Sequence, residues 1–140
     1  MRAGGVSVTP VVEIGISSSV HKYRSLAAWQ AAHGLLLLTL RATDAASHPR
    51  CYALFDQMRR SAVSVEANIV EGYALGSTAQ FKRHLRIALG SAAESECLAR
   101  VAGEVGYLAD DRVKALEGLT GRVIRTVQGL LKAKLSHPET

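Results

Sequence analysis

Between Tyr23 and about Ala45, Leu26, Trp29, Ala32, Leu36, Leu40 and Thr43 recur every third or fourth position. At about 100° per residue this spacing puts them on one face of a helix. Ser47-His48-Pro49 ends that helix, because proline lacks an amide donor and restricts the residue before it. The same proline suits the first turn of a second helix, predicted to begin near Pro49 or Arg50. Its apolar stripe is Leu54, Met58, Ala62, Val65 and Ile69, and it runs toward Gly72 and Gly76, of which Gly76 is the better stop.

Ser77-Thr78-Ala79-Gln80 has the spacing of a capping box, so a third helix is predicted from about Thr78. Phe81, Leu85, Ala88, Ala92, Ala99 and Ala102 mark its core face, with Leu89 and Leu98 at the flanks, and Gly103 and Gly106 weaken its end. Asp110 and Asp111 suit the cap of a fourth helix, which carries Val113, Leu116, Leu119, Val123, Val127 and Leu130 and fades before Pro138. Four helices of about twenty residues or more, each about 30 Å long, joined by short connections, predict an all-α, antiparallel up-down four-helix bundle. The bundle is expected over residues 23–135, between a flexible N-terminal tail, 1–22, and a C-terminal tail, 136–140. Leu35, Leu37 and Leu38 on the first helix, and Val113, Ile124 and Leu131 on the fourth, widen the apolar arcs and point to self-association.

Composition agrees with one helical domain: the chain has 140 residues and only 5% aromatics. Thr9, Pro10, Glu13, Gly15 and the serines at 17–19 interrupt any signal-like apolar core. The longest aliphatic run, Leu35 to Leu38, falls far below the roughly 18–20 residues of a membrane span. Cys51 and Cys97 form neither a CxxC nor a dense framework, so a reducing cytoplasm is the expected compartment. Cys97 reads as a small core residue and Cys51, near a loop, as exposed.

The search for chemistry yields little that is catalytic. The chain has no Glu-x-x-His of a di-metal bundle, and Glu94 and Glu96 point about 160° apart. A carboxylate pair would need Glu71 and Glu94 to face one pocket. His33, His48 and His84 have no sequence neighbours that build a triad, and Gly72-x-x-x-Gly76 lacks the rest of a phosphate loop. No enzymatic activity, cofactor or metal is expected.

The basic residues are better organised. Seventeen Lys and Arg against twelve Asp and Glu leave a net charge of +5. Lys114, Arg125 and Lys132 lie within about 20° of one line on the fourth helix, with Arg122 about 60° from Arg125. Lys82, Arg86 and Arg100 fall within about 40° on the third, with Arg83 to one side. Such ridges suit the phosphates of RNA or DNA; the alternative is an ordinary polar face. Arg59 and Arg60 stand about 100° apart, so at most one is tied into the bundle while the other faces a partner. Asp56 and Arg60 have the spacing of a helical ion pair.

Gln57, Arg59, Arg60, Ala62, Ser64, Asn68, Ile69, Glu71 and Gly72, followed by Phe81, Leu85, Ile87, Ala88, Gly90, Ser91 and Glu94, form a pattern that resembles the four-helix-bundle family encoded by intervening sequences in bacterial large-subunit rRNA genes. Trp29-Gln30, Gly106-Tyr107-Leu108 and Gly129-Leu130-Leu131 extend the likeness from about Leu26 to Leu131. The resemblance implies a homo-oligomeric ring, a pentamer, without assigned enzymatic activity. It also implies a link to accessory proteins of diversity-generating retroelements, which associate with a reverse transcriptase and nucleic acid. Asn68, Glu71, Gly72, Gly76, Ser77, Gly90 and Glu94 are then structural motif positions. Members commonly carry proline near Glu66, so this chain is expected to have a straighter second helix. The function expected is a nucleic-acid-associated adaptor, against a scaffold without nucleic acid.

Overall fold

The computed structural model describes residues 22–134. A 3-10 turn, Lys22–Ser25, leads into α1, Ala27–Ala45; a second, Pro49–Cys51, leads into α2, Tyr52–Ala74; α3 spans Thr78–Glu104 and α4 spans Asp110–Lys132. The expected tails, residues 1–22 and 136–140, lie outside the described residues apart from Lys22. Each helix packs on its neighbours in sequence and α4 closes against α1, so the four stand in a ring around one core. The predicted all-α up-down bundle is the observed architecture.

The connections obey the local chemistry. Gly76 takes φ +81° and Gly106 φ +80°, a left-handed conformation that costs glycine little. Ser77 accepts a hydrogen bond from Gln80 N at 3.1 Å, satisfying an otherwise unpaired amide as α3 begins. At the head of α4, Ala109 occupies the cap without a side-chain bond. Asp110 and Asp111 fall inside the first turn, where their charge opposes the positive end of the helix dipole.

The core is built from smaller residues than the apolar stripes suggest. On α1 the buried line is Ala28, Ala31, Ala32, Leu35, Thr39, Ala42 and Thr43, whereas Leu36 and Leu40 are half-buried on its flank. On α2, Phe55 takes the buried place expected of Leu54. Small side chains win the innermost positions because they let helices approach closely, and larger ones then close the seams from outside. The buried Thr39 and Thr43 hydroxyls donate to the carbonyls four residues back, each at 2.7 Å. Both cysteine expectations are reversed: Cys51 is buried beneath the start of α2 and Cys97 is exposed. The 3-10 turn tucks the first inward, while Cys97 lies about 160° from the line of Phe81 and Ala99.

Candidate nucleic-acid interface

The motif residues of α2 and α3 assemble a polar seam. Gln57 Nε2 donates to Glu94 Oε2 at 2.6 Å, Ser95 donates to Ser61 at 2.9 Å, and the Ser64 and Ser91 hydroxyls lie 2.7 Å apart. Asn68 Nδ2 donates to the Ser64 carbonyl at 2.8 Å, and Asn68 Oδ1 lies 2.9 Å from His84 Nδ1. Glu71 Oε1 stands 3.6 Å from the same imidazole nitrogen. Gly72 permits this approach, since a Cβ there would come within 2.6 Å of His84 Cβ. Gly90 differs: it faces open space, where a Cβ would meet nothing within 4 Å.

This arrangement separates Glu71 from Glu94. One sits at the level of His84 and the other at that of Gln57, ten α3 residues apart, which is about 15 Å along the helix axis. Both are exposed, so they do not face one pocket. Among the described residues no three His, Cys, Asp or Glu side chains are grouped as a metal site requires. No helix among them is long and apolar enough to cross a membrane.

The arginine pair divides its labour. Arg59 Nε donates to the Thr43 hydroxyl at 3.0 Å and its guanidinium lies 3.8 Å from Asp44, so it clamps α2 to α1. Arg60 pairs with Asp56 one turn earlier on the same helix and also donates to Gln57 Oε1. Arg59 is thus tied between helices, whereas Arg60 is paired only within its own helix and stays exposed.

Glu66 is a contributor that periodicity did not reveal. It accepts from Trp29 Nε1 at 3.0 Å and stands 3.1 Å from His33 Nδ1, while the His33 ring stacks on Trp29 with centroids 4.8 Å apart. The carboxylate thus joins α2 to two positions one turn apart on α1. α2 runs unbroken through Glu66. Trp29 and His33 at i, i+4 were the available signal. Leu36, Val63, Ala67 and Val70, together with Glu66 and Glu71, line an open, mostly apolar groove of about 410 Å³ along the α1/α2 seam.

The opposite side of the ring, the α3/α4 seam, is basic. Lys82 Nζ donates to the Ala133 carbonyl at 3.3 Å, Arg100 lies 3.6 Å from Glu117, and Gly103 lies against Val113. The first half of α3 is therefore paired with the second half of α4. From Thr78 to Ala93 the chain has Lys82, Arg83 and Arg86 and no acid; from Gly118 to Lys134 it has Arg122, Arg125, Lys132 and Lys134 and again no acid. Lys82 is half-buried and the other six are exposed. The acids at that level, Glu66 and Glu71, sit on α2, one turned to α1 and the other against His84.

The predicted ridges accordingly split. Lys82 and Arg86 border the acid-free end of the seam on α3, and Arg83 faces outward. On α4, Arg125 and Lys132 project roughly opposite the buried line of Leu116, Thr120, Val123 and Val127, and Arg122 lies toward the α1 side, about 60° from Leu119. Arg100 and Lys114 lie at the other end, where Glu94, Glu96, Glu104, Asp110, Asp111 and Glu117 outnumber the bases and Arg100 is already paired. Lys134 extends the basic end and was missed by helical periodicity because it lies beyond α4. The absence of acid in two stretches that the bundle topology brings together was the signal that would have found it.

A protein-family model described as 23S rRNA-intervening sequence protein matches residues 24–129, which covers all four helices almost to the end of α4. No curated protein gives a match.

Proposed function

The chain belongs to the 23S rRNA-intervening sequence protein family, and from that premise we propose that it is a non-enzymatic, ring-forming accessory protein that holds a nucleic-acid backbone on its α3/α4 face. The observation that carries this reading is the acid-free basic end of that seam. Clustered like charge on a rigid low-dielectric surface produces a potential that attracts polyanions, and each phosphate neutralised releases condensed counterions. The ring is proposed as a homopentamer, and a nucleic-acid-processing enzyme such as a reverse transcriptase is its proposed partner, on the strength of the resemblance alone.

Binding of a structured RNA measured by fluorescence anisotropy across a salt series tests the reading. The expected result is affinity that falls steeply with salt and is weakened by Arg86→Gln, Arg125→Gln and Lys132→Gln together. Negligible affinity at low salt, or affinity indifferent to salt, overturns it. Native mass measurement tests the pentamer separately.

A second reading, a scaffold without nucleic acid, is favoured by the apolar α1/α2 groove, which suits burial against another protein surface. It predicts a defined oligomer that purifies free of nucleic acid and is unaffected by the three basic substitutions.

A further inference from the structure

We infer that the α3/α4 face takes a double-helical nucleic acid by its phosphate backbone in preference to a single strand. This rests on the nucleic-acid reading above and adds the class of polymer. Proteins that hold single strands combine a basic track with aromatic side chains on which successive bases stack. α3 and α4 contain a single aromatic residue, Phe81, and it is buried in the core. Tyr107 lies in the turn at the other end, edge-on to Phe55 and beneath Arg50. Trp29 stacks with His33 beside Glu66 across the bundle, where a carboxylate repels phosphate. Tyr73 of α2, the ring nearest this end, is half-buried and edge-on to Phe81, so α3 and α4 themselves offer a strand no exposed aromatic platform.

What the seam does offer is a fixed array of charge. Lys82 and Arg86 are one turn apart on α3, about 6 Å, and Arg125 and Lys132 two turns apart on α4, about 10 Å. Packed helices stand about 8–10 Å apart between axes, and Arg125 and Lys132 project outward from α4, so the two rows stand on one rigid outer surface, farther apart than the axes. A duplex presents a rigid phosphate lattice with one charge per about 1.7 Å of axis, and meeting it requires no ordering of a flexible chain. A single strand must be ordered on the face without stacking to offset that cost. Recognition of this kind reads shape and charge and is indifferent to base sequence.

The test is a comparison by anisotropy of an unstructured labelled oligonucleotide with RNA and DNA duplexes of equal length, from about 50 to 200 mM salt. Either duplex is expected to bind at least about tenfold more tightly than the strand. Engagement of three to five phosphates gives a slope of log K against log salt of roughly −3 to −4.5. Arg125→Gln with Lys132→Gln is expected to make that slope shallower by about two, and Arg100→Gln to leave it unchanged. Equal or tighter binding of the single strand overturns this inference and leaves the proposed function standing. Binding of neither polymer, or a duplex slope that the double substitution does not change, overturns both.

Discussion

His84 donates a hydrogen bond from Nδ1 to Asn68 Oδ1 at 2.9 Å. The assignment follows from the other end of the amide: Asn68 Nδ2 reaches the Ser64 carbonyl, which can only accept, so the oxygen is the atom left facing His84 and the imidazole proton must sit on Nδ1. His84 is buried. Asn68→Ala removes its acceptor and leaves a desolvated N–H, a loss of about 1–3 kcal/mol. Urea unfolding is expected to show a lower midpoint with an unchanged slope, the signature of a weakened native state. Asn68→Asp restores an acceptor opposite His84 but cannot donate to Ser64, so its midpoint is expected between those of the alanine variant and the parent.

Gly72 and Gly90 carry the same family pattern and answer to opposite forces. At Gly72 a Cβ would meet His84 Cβ at 2.6 Å and Phe81 Cα at 3.4 Å, neither of which is the free end of a flexible chain. Gly72→Ala is expected to destabilise the bundle by about 1–3 kcal/mol through overpacking. At Gly90 a Cβ meets nothing within 4 Å, so Gly90→Ala is expected to raise stability by about 0.5–1 kcal/mol through helix propensity alone. Thermal melting of the two variants side by side gives both signs. A destabilised Gly90→Ala protein would show that Gly90 is packed in the assembled molecule.

The contrast between these glycines shows where sequence reasoning succeeds on this chain. Helix ends were legible because they rest on local chemistry: Gly76 and Ser77 carry their conformational and capping preferences wherever the chain folds. The core of α1 was less legible. Leu35 to Leu38 are apolar in every direction, so periodicity has no contrast to work with, and which face turns inward is decided by how closely α2 and α4 approach. The candidate site lay between these cases. Its individual bases were found by helical spacing, as was the Asp56–Arg60 pair, but Arg59 and Arg100 were tied down only when Thr43 and Glu117 came within reach from other helices. Pairings between helices are properties of topology, and a one-dimensional pattern does not contain them.

Glu66 gives that lesson a spectroscopic test. Trp29 is the only tryptophan in the chain, and its indole N–H ends on the Glu66 carboxylate. Glu66→Ala removes that acceptor and the partner of His33, and is expected to shift the Trp29 emission and cost about 1–3 kcal/mol. Glu66→Pro is expected to cost about 3 kcal/mol or more, because α2 is a continuous helix through this position. Urea unfolding followed by Trp29 fluorescence and by far-ultraviolet circular dichroism checks both variants. A Glu66→Pro protein as stable as the parent would mean that α2 accommodates a proline kink without loss.

The basic end of the α3/α4 seam should be detectable without any nucleic acid. Uncompensated like charges raise the free energy of the folded state, and the repulsion is greatest where no acid lies among them. Arg86 and Arg125 are exposed on that end, whereas Arg100 is 3.6 Å from Glu117. Arg86→Gln with Arg125→Gln is therefore expected to stabilise the free protein by a few tenths to about 1 kcal/mol at low salt. The gain should fade as the screening length falls from about 30 Å at 0.01 M salt to about 3 Å at 1 M. Arg100→Gln breaks an attractive pair and is expected to destabilise slightly under the same conditions, with the opposite salt trend. Melting temperatures of the three proteins at low and high salt check the argument. A double variant no more stable than its parent at low salt would mean that the seven bases do not act on one another as a common field, removing the observation on which the nucleic-acid interface is founded.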